Sequence, residues 1–225
     1  MATKRVFTDA QLKEMGTKTF DALNEAIQAG DKDKAAKLGK RMYREFEAMH
    51  DLLVKWLASN YNYIYGKYGD AGLYEALHEG CSVWAKDLIN IYAGKEPQRI
   101  LEILIMGLRG HLQGYKIEED DDKFTIYCEP CGSGGRLVQS GAYESGPKFA
   151  RLKAQPMTYG QSNYPVYCAH CTFQETLPIE ATGKPIFITE PPAEVGKGPC
   201  KVIIYKDSNK IPEKYYTKVG KKKKA

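Results

Sequence analysis

Two short cysteine pairs constrain this chain more than any other feature of it. Cys128-Glu-Pro-Cys131 and Cys168-Ala-His-Cys171 are both C-x-x-C elements, separated by 36 residues. A two-residue spacing lets one tight turn aim two sulfurs at one point, and Gly132 offers the left-handed backbone that such a turn often needs. Two turns of this kind facing each other make a tetrahedral sulfur cage, the ligand set that suits zinc. The 36-residue gap exceeds the roughly 15–20 residues of a compact ribbon, so an excursion between the knuckles is expected. The same four sulfurs could instead hold one iron or an iron–sulfur cluster, or act as redox thiols. Protein sulfur closes all four positions, which points to a structural zinc that replaces core in a loop-rich segment.

The texture of the chain changes on either side of residue 116. Residues 1–113 read as helices. Thr8-Asp-Ala-Gln11 fits a capping box, Gly30 a helix stop, and Asp31 or Asp33 the cap of a second helix. In that helix Leu38, Met42, Phe46, Met49, Leu53 and Leu57 recur at three and four residues, so they are expected on one inward face. The segment 60–72, rich in Tyr and Gly, reads as a connection to a third helix capped by Asp70 and ended by Gly94. Pro97 suits the first turn of a fourth. The acidic run 118–122 reads as a solvated turn. Beyond it, 123–127, 185–189 and 200–205 have the β-branched, alternating character of strands. The expected fold is α+β: an N-terminal four-helix bundle (1–116) packed on a strand- and loop-rich, zinc-ribbon-like C-terminal module (117–206), followed by a basic, flexible tail (207–225).

Bulk properties exclude several classes. The chain has 225 residues, enough to bury a core without a disulfide framework. No apolar run approaches the roughly 18 residues of a membrane span. The first residues lack the apolar stretch of a secretory signal, so a cytoplasmic protein is expected, with cysteines serving as ligands or core residues rather than disulfides. The net charge of +5 invites a nucleic-acid partner, but nine lysines in 201–225 face only Asp207 and Glu213 there. Charge confined to a tail argues against a basic binding face.

Three of the four histidines fall on successive helices, on or beside the inward face: His50, His78 and His111. Two close a Glu-x-x-His pattern, Glu47 with His50 and Glu75 with His78, the device by which helical bundles build two-metal sites. They are the candidate catalytic residues, as ligands of a second metal ion or as proton carriers; the alternative is three satisfied core histidines. His170 lies within the second knuckle and is expected beside the metal rather than on it. The run Cys131-Gly-Ser-Gly-Gly-Arg136 can cradle an anion with Gly134, Gly135 and Arg136, or simply turn the chain out of the knuckle. Tyrosines near 60–74 and 159–167 could line a pocket for a small ligand. Cys81 and Cys200 read as small core residues.

A helical first half followed by a cysteine-bearing β half ending Gly196-Lys-Gly-Pro-Cys200-Lys-Val-Ile-Ile-Tyr205 resembles the L-2-amino-thiazoline-4-carboxylate hydrolase-like proteins. The resemblance covers about the last hundred residues. It implies a small-molecule hydrolase, with Cys200 as the position carried across.

The expectation is a zinc-binding protein, a metal-dependent hydrolase or lyase acting on a small organic molecule. The alternative is a non-catalytic zinc subunit or ligand-binding protein serving a partner enzyme. Self-association into a homo-oligomer fits either.

Overall fold

A computed structural model describes residues 5–145 and 148–224. The chain divides into two compact units, 1–52 and 53–225.

The first unit is helical. Helix α1 (Asp9–Gly16) opens on the expected capping box: Thr8 Oγ1 accepts from Gln11 N at 3.2 Å, and Gln11 Oε1 accepts from Thr8 N at 2.9 Å. Helix α2 (Thr19–Gln28) follows, closed by Gly30 at φ 71°. Asp31 then caps α3 (Lys32–Tyr92), its Oδ1 accepting from Lys34 N. Thr19 Oγ1 and Arg41 Nε both donate to Glu45 Oε1, which ties α2 to α3 within this unit.

Helix α3 spans the expected connection, and its break falls inside that connection, directly before Asp70. It runs through the Tyr- and Gly-rich stretch and departs from helical geometry only at Gly69 (φ 67°, ψ −161°). The stretch holds only three glycines, and the residues between them are compatible with a helix. The connection is therefore a kink between two helices rather than a loop, and no four-helix bundle is seen among the described residues. Among the described residues no helix is long and apolar enough to cross a membrane.

The second unit is α+β. Gly94 (φ 66°) ends α3 and Pro97 starts α4 (Pro97–Leu108). Strands β1 (Tyr115–Glu119) and β2 (Lys123–Cys128) form a hairpin, so the acidic run is half strand and half turn. Asp120 Oδ1 accepts from the backbone of Asp122 and Lys123 and fixes that turn. A short α5 (Gly134–Gln139) and a two-stranded ribbon of β3 (Arg151–Leu152) and β4 (Tyr164–Pro165) lie in the excursion between the knuckles. Helix α6 (His170–Thr182) begins inside the second C-x-x-C pair. Strands β5 (Ile188–Glu190) and β6 (Cys200–Tyr205) complete an antiparallel sheet of order β1-β2-β6-β5.

Strand alternation gives the sheet two apolar faces. Phe124, Ile126, Cys128, Val202 and Ile204 pack with Leu104 and Ile105 of α4. Ile188 and Ile203 face the other way, into a core with Phe173, Leu177 and Ile179 of α6. The lysine-rich end does not form the expected flexible tail. A four-residue helix α7 (Lys214–Thr217) sits in it, and Ile211, Tyr215, Tyr216 and Val219 are buried in the α6 core. Lys221 Nζ donates to Glu180 Oε1, and Lys223 Nζ to the carbonyls of Asn209 and Ile211.

Candidate thiol cluster and adjoining cleft

Each cysteine of the two knuckles is placed by a different element. Cys128 ends β2, and Cys131 opens the glycine loop leading into α5. Cys168 lies in the 3-10 turn Val166–Ala169, and Cys171 in the first turn of α6. Three glycines let these pieces close on one another. A Cβ at Gly134 would come within 2.5 Å of Cys168 Sγ. At Gly135 it would meet Cys131 Cβ at 3.3 Å, and at Gly132 it would run into the carbonyl oxygen of His111. Gly132 is thus needed for close approach, not for the left-handed backbone expected of it: it is absent from the positive-φ glycines.

All six cysteines are free thiols. Burial pushes Cys128 and Cys171 up to about 12, and neighbouring thiolates push Cys128 in the same direction. Cys168 is raised by burial, then by Cys171 and Cys131. The backbone N–H groups of Ser133, Gly134 and Gly135 favour the charged form of Cys131, but burial outweighs them. Cys200 joins the group: it stands directly across from Cys128 in the β2–β6 ladder. After burial, its rise comes from Cys131, Cys171, Cys128 and Cys168 together. Five thiols therefore share one low-dielectric neighbourhood, in which each anion opposes the next and a cation would relieve them all. Among the described residues, no group of three or more His, Cys, Asp or Glu side chains is arranged to hold a metal ion.

Gly134 and Gly135, expected to cradle an anionic substrate, are buried against cysteine sulfur and the first knuckle instead. Arg136 sits beside them in the first turns of α5, and its N–H donates to Cys131 O at 3.0 Å.

The histidines each have their own setting. His50, in the first unit, places Nδ1 3.1 Å from Asp51 Oδ1. His78 Nε2 lies 3.0 Å from Glu180 Oε2, which raises its pKa, and its ring stacks on Tyr74. His111 falls in the 3-10 turn after α4, with Nδ1 2.7 Å from Ser133 Oγ in the glycine loop.

His111 lines a cleft of about 400 Å³ together with His170, a residue the sequence placed only beside the metal. Tyr61, Cys81, Trp84 and Gln174 share its wall. His170 Nδ1 is 2.6 Å from Tyr167 O and so carries the proton, which leaves Nε2 as the acceptor, 3.6 Å from Cys171 Sγ. Burial lowers its pKa and favours the neutral ring. Tyr61 senses both Cys81 and Cys171, which sets the thiol group against the cleft wall. Of the two tyrosine-rich stretches, the first supplies Tyr61 here. The second supplies Tyr159 to a smaller cleft of about 310 Å³, also lined by Lys218, Lys201 and Glu190.

Glu175 was not legible as a site residue. It is fully buried on α6, accepts from Thr189 N through Oε1, and places Oε2 3.6 Å from Lys218 Nζ. Burial raises its pKa to about 7, against the opposing pull of Lys218. Neither Oε2 nor the Tyr159 hydroxyl completes a hydrogen bond, although the hydroxyl lies near enough to favour the carboxylate.

Comparison with protein-family models, with curated proteins and with solved structures finds no match to this chain.

Proposed function

We propose that the chain is a zinc–thiolate protein whose metal centre supports a small-molecule site, and that it acts there as a hydrolase or lyase. Cys128, Cys131, Cys168 and Cys171 would hold a structural zinc ion, and segment 117–206 would be the ribbon-like module that this ion staples. Cys200, across the ladder from Cys128, is the thiol able to stand in for it. The observation that carries the proposal is the closure of the first knuckle on the second, with Cys168 Sγ against Gly134 in the loop that follows Cys131. Apolar surroundings that raise every thiol suit a bound cation, which turns thiols into thiolates outright. Free thiols also fit a reducing, cytoplasmic setting.

The chemistry on the organic molecule belongs to the cleft. His111 and neutral His170 are the imidazoles that line it and could accept or donate a proton there. Tyr61 and Trp84 give the cleft the aromatic walls that favour a compact organic ligand over a long polymer. His50 and His78 lie outside the lining of this cleft and take no part in its chemistry. The resemblance to thiazoline-carboxylate hydrolases points to the same class of reaction.

Reconstitution of metal-free protein with cobalt tests the metal assignment. Tetrathiolate coordination gives intense visible bands that vanish in Cys168→Ser; a cobalt spectrum of oxygen and nitrogen ligands, or none, contradicts it.

A further inference from the structure

Lys218 stands at the end of α7 with its side chain only 17% exposed. Tyr215, Tyr216 and Val219 on either side of it are buried in the α6 core and fix this part of the chain. Nζ lies 4.6 Å from the ring centre of Tyr159 and 4.9 Å from that of Tyr215. It donates to Thr189 O at 2.5 Å, and Glu175 Oε2 is 3.6 Å away. That last distance is too long for a hydrogen bond. A buried pair that serves stability alone needs close contact, because an incomplete one costs more in desolvation than it returns. Here the pair stays apart, and Glu175 Oε2 completes no hydrogen bond.

Lys218 also opens on a cavity. It lines the cleft of about 310 Å³ that holds Tyr159 and Lys201, with Pro191, Pro192 and Pro199 as its apolar wall. No lining residue is shared with the cleft of His111 and His170. An amine held among aromatic and apolar groups, beside a carboxyl and open to a small cavity, is the arrangement that makes lysine a nucleophile. Burial holds the Lys218 ammonium below the usual lysine range, against the pull of Glu175 and Glu190. Burial also raises Glu175 to about 7. The low-dielectric setting thus favours the neutral amine and the neutral acid.

We propose that Lys218 is the nucleophile of a second site and forms an imine with a small 2-oxo acid that enters this cleft. The Nζ lone pair bonds to the carbonyl carbon while the C=O π pair moves to the oxygen. One proton passes from nitrogen to that oxygen and gives a carbinolamine. Its hydroxyl is one carbon removed from Nζ, within reach of a carboxyl 3.6 Å from Nζ. Glu175 protonates the hydroxyl, the C–O bond breaks, water leaves, and the nitrogen lone pair closes the C=N bond. A neutral acid and a neutral amine have become a carboxylate and a protonated imine, so the net charge of the buried pair is unchanged. The faces of Tyr159 and Tyr215 receive the cation. Lys201, the second cation of the lining, suits the carboxylate of the 2-oxo acid. Glu190, its neighbour across the β5–β6 ladder, is already bonded to the Tyr215 hydroxyl at 2.8 Å.

Reductive trapping on the full chain is the test. Glyoxylate is the probe, cyanoborohydride the reductant, and peptide mass spectrometry maps the modified lysines. Lys197, with its side chain 73% exposed, is the internal reference. In wild type Lys218 is alkylated at least about tenfold faster than Lys197. Glu175→Gln slows Lys218 about a hundredfold, as loss of a general acid does, and leaves Lys197 unchanged. Lys201→Ala slows trapping of glyoxylate at Lys218 about tenfold and leaves trapping of uncharged acetaldehyde as it was. The wild-type ratio requires no substitution, so it decides even where a variant fails to fold. Labelling of Lys218 no faster than Lys197, a folded Glu175→Gln that labels like wild type, or a Lys201→Ala effect equal for both aldehydes would each overturn the proposal.

Discussion

The sulfur of Cys168 lies against Gly134, so close that a Cβ on that glycine would come within 2.5 Å of it. One knuckle thus reaches the other only because residue 134 has no side chain. Gly134→Ala is expected to destabilise the protein by about 1–3 kcal/mol, the usual cost of overpacking a filled site, and to lower metal retention. Gly80, in α3 with nothing within 4 Å of a Cβ, is the control: its change to Ala should stabilise by up to about 1 kcal/mol. Urea titration of both variants checks the contrast. Equal effects at the two positions would show that the knuckles do not depend on this contact.

The relation between Cys128 and Cys200 makes a second prediction. They are cross-strand partners, and both lie among the other thiols. Loss of one leaves the other able to complete the set, so Cys128→Ser and Cys200→Ser should each retain metal with weakened affinity. Cys131→Ser and Cys168→Ser remove the thiols packed on Gly135 and Gly134, where the knuckles close, and should lose it. Metal content after dialysis against a chelator separates the two classes.

Glu175 predicts a pH dependence. Its carboxyl titrates near 4.5 when unfolded and near 7 when folded, because burial disfavours the anion. The folded state therefore holds the proton more tightly. The stability this contributes is complete below pH 4.5 and is lost as pH rises to about 7, a change on the order of 3 kcal/mol at most. Glu175→Gln stays neutral and should remove that slope. Urea unfolding at pH 5 and pH 8 measures it; identical slopes in wild type and variant would place the titration elsewhere.

Trp84 offers a direct reading of the cleft. Trp56 is exposed, so Trp56→Phe leaves Trp84 as the only tryptophan at little structural cost. A small aromatic acid entering the cleft should then shift Trp84 emission, and His170→Ala or Tyr61→Ala should weaken the response about tenfold or more. An unchanged titration in both variants would move the ligand site away from this wall.

Much of this was legible where a local signal is strong. The capping box at Thr8, the stops at Gly30 and Gly94, Pro97 and the strand 200–205 follow from single residues or period-two alternation. Helix α6 was not legible, because nearly all of 172–179 is buried and it contains Pro178, so it has neither an amphipathic stripe nor a helix-forming composition. The 42–49 stripe was legible as a helix face but not as an exposed one, since periodicity gives the face and not what covers it. The lysine-rich end was misjudged because its charge was weighed without Ile211, Tyr215 and Tyr216, which anchor it. His170 gained its place in the cleft from the fold of α6, which no spacing announces.

Elemental analysis of purified protein addresses the metal centre most directly. One zinc per chain is expected, with close to none in Cys131→Ser or Cys168→Ser and an unchanged content in His50→Ala with His78→Ala. Wild-type protein that carries no metal, or whose metal survives loss of Cys131 and Cys168 but not of the histidines, would contradict it.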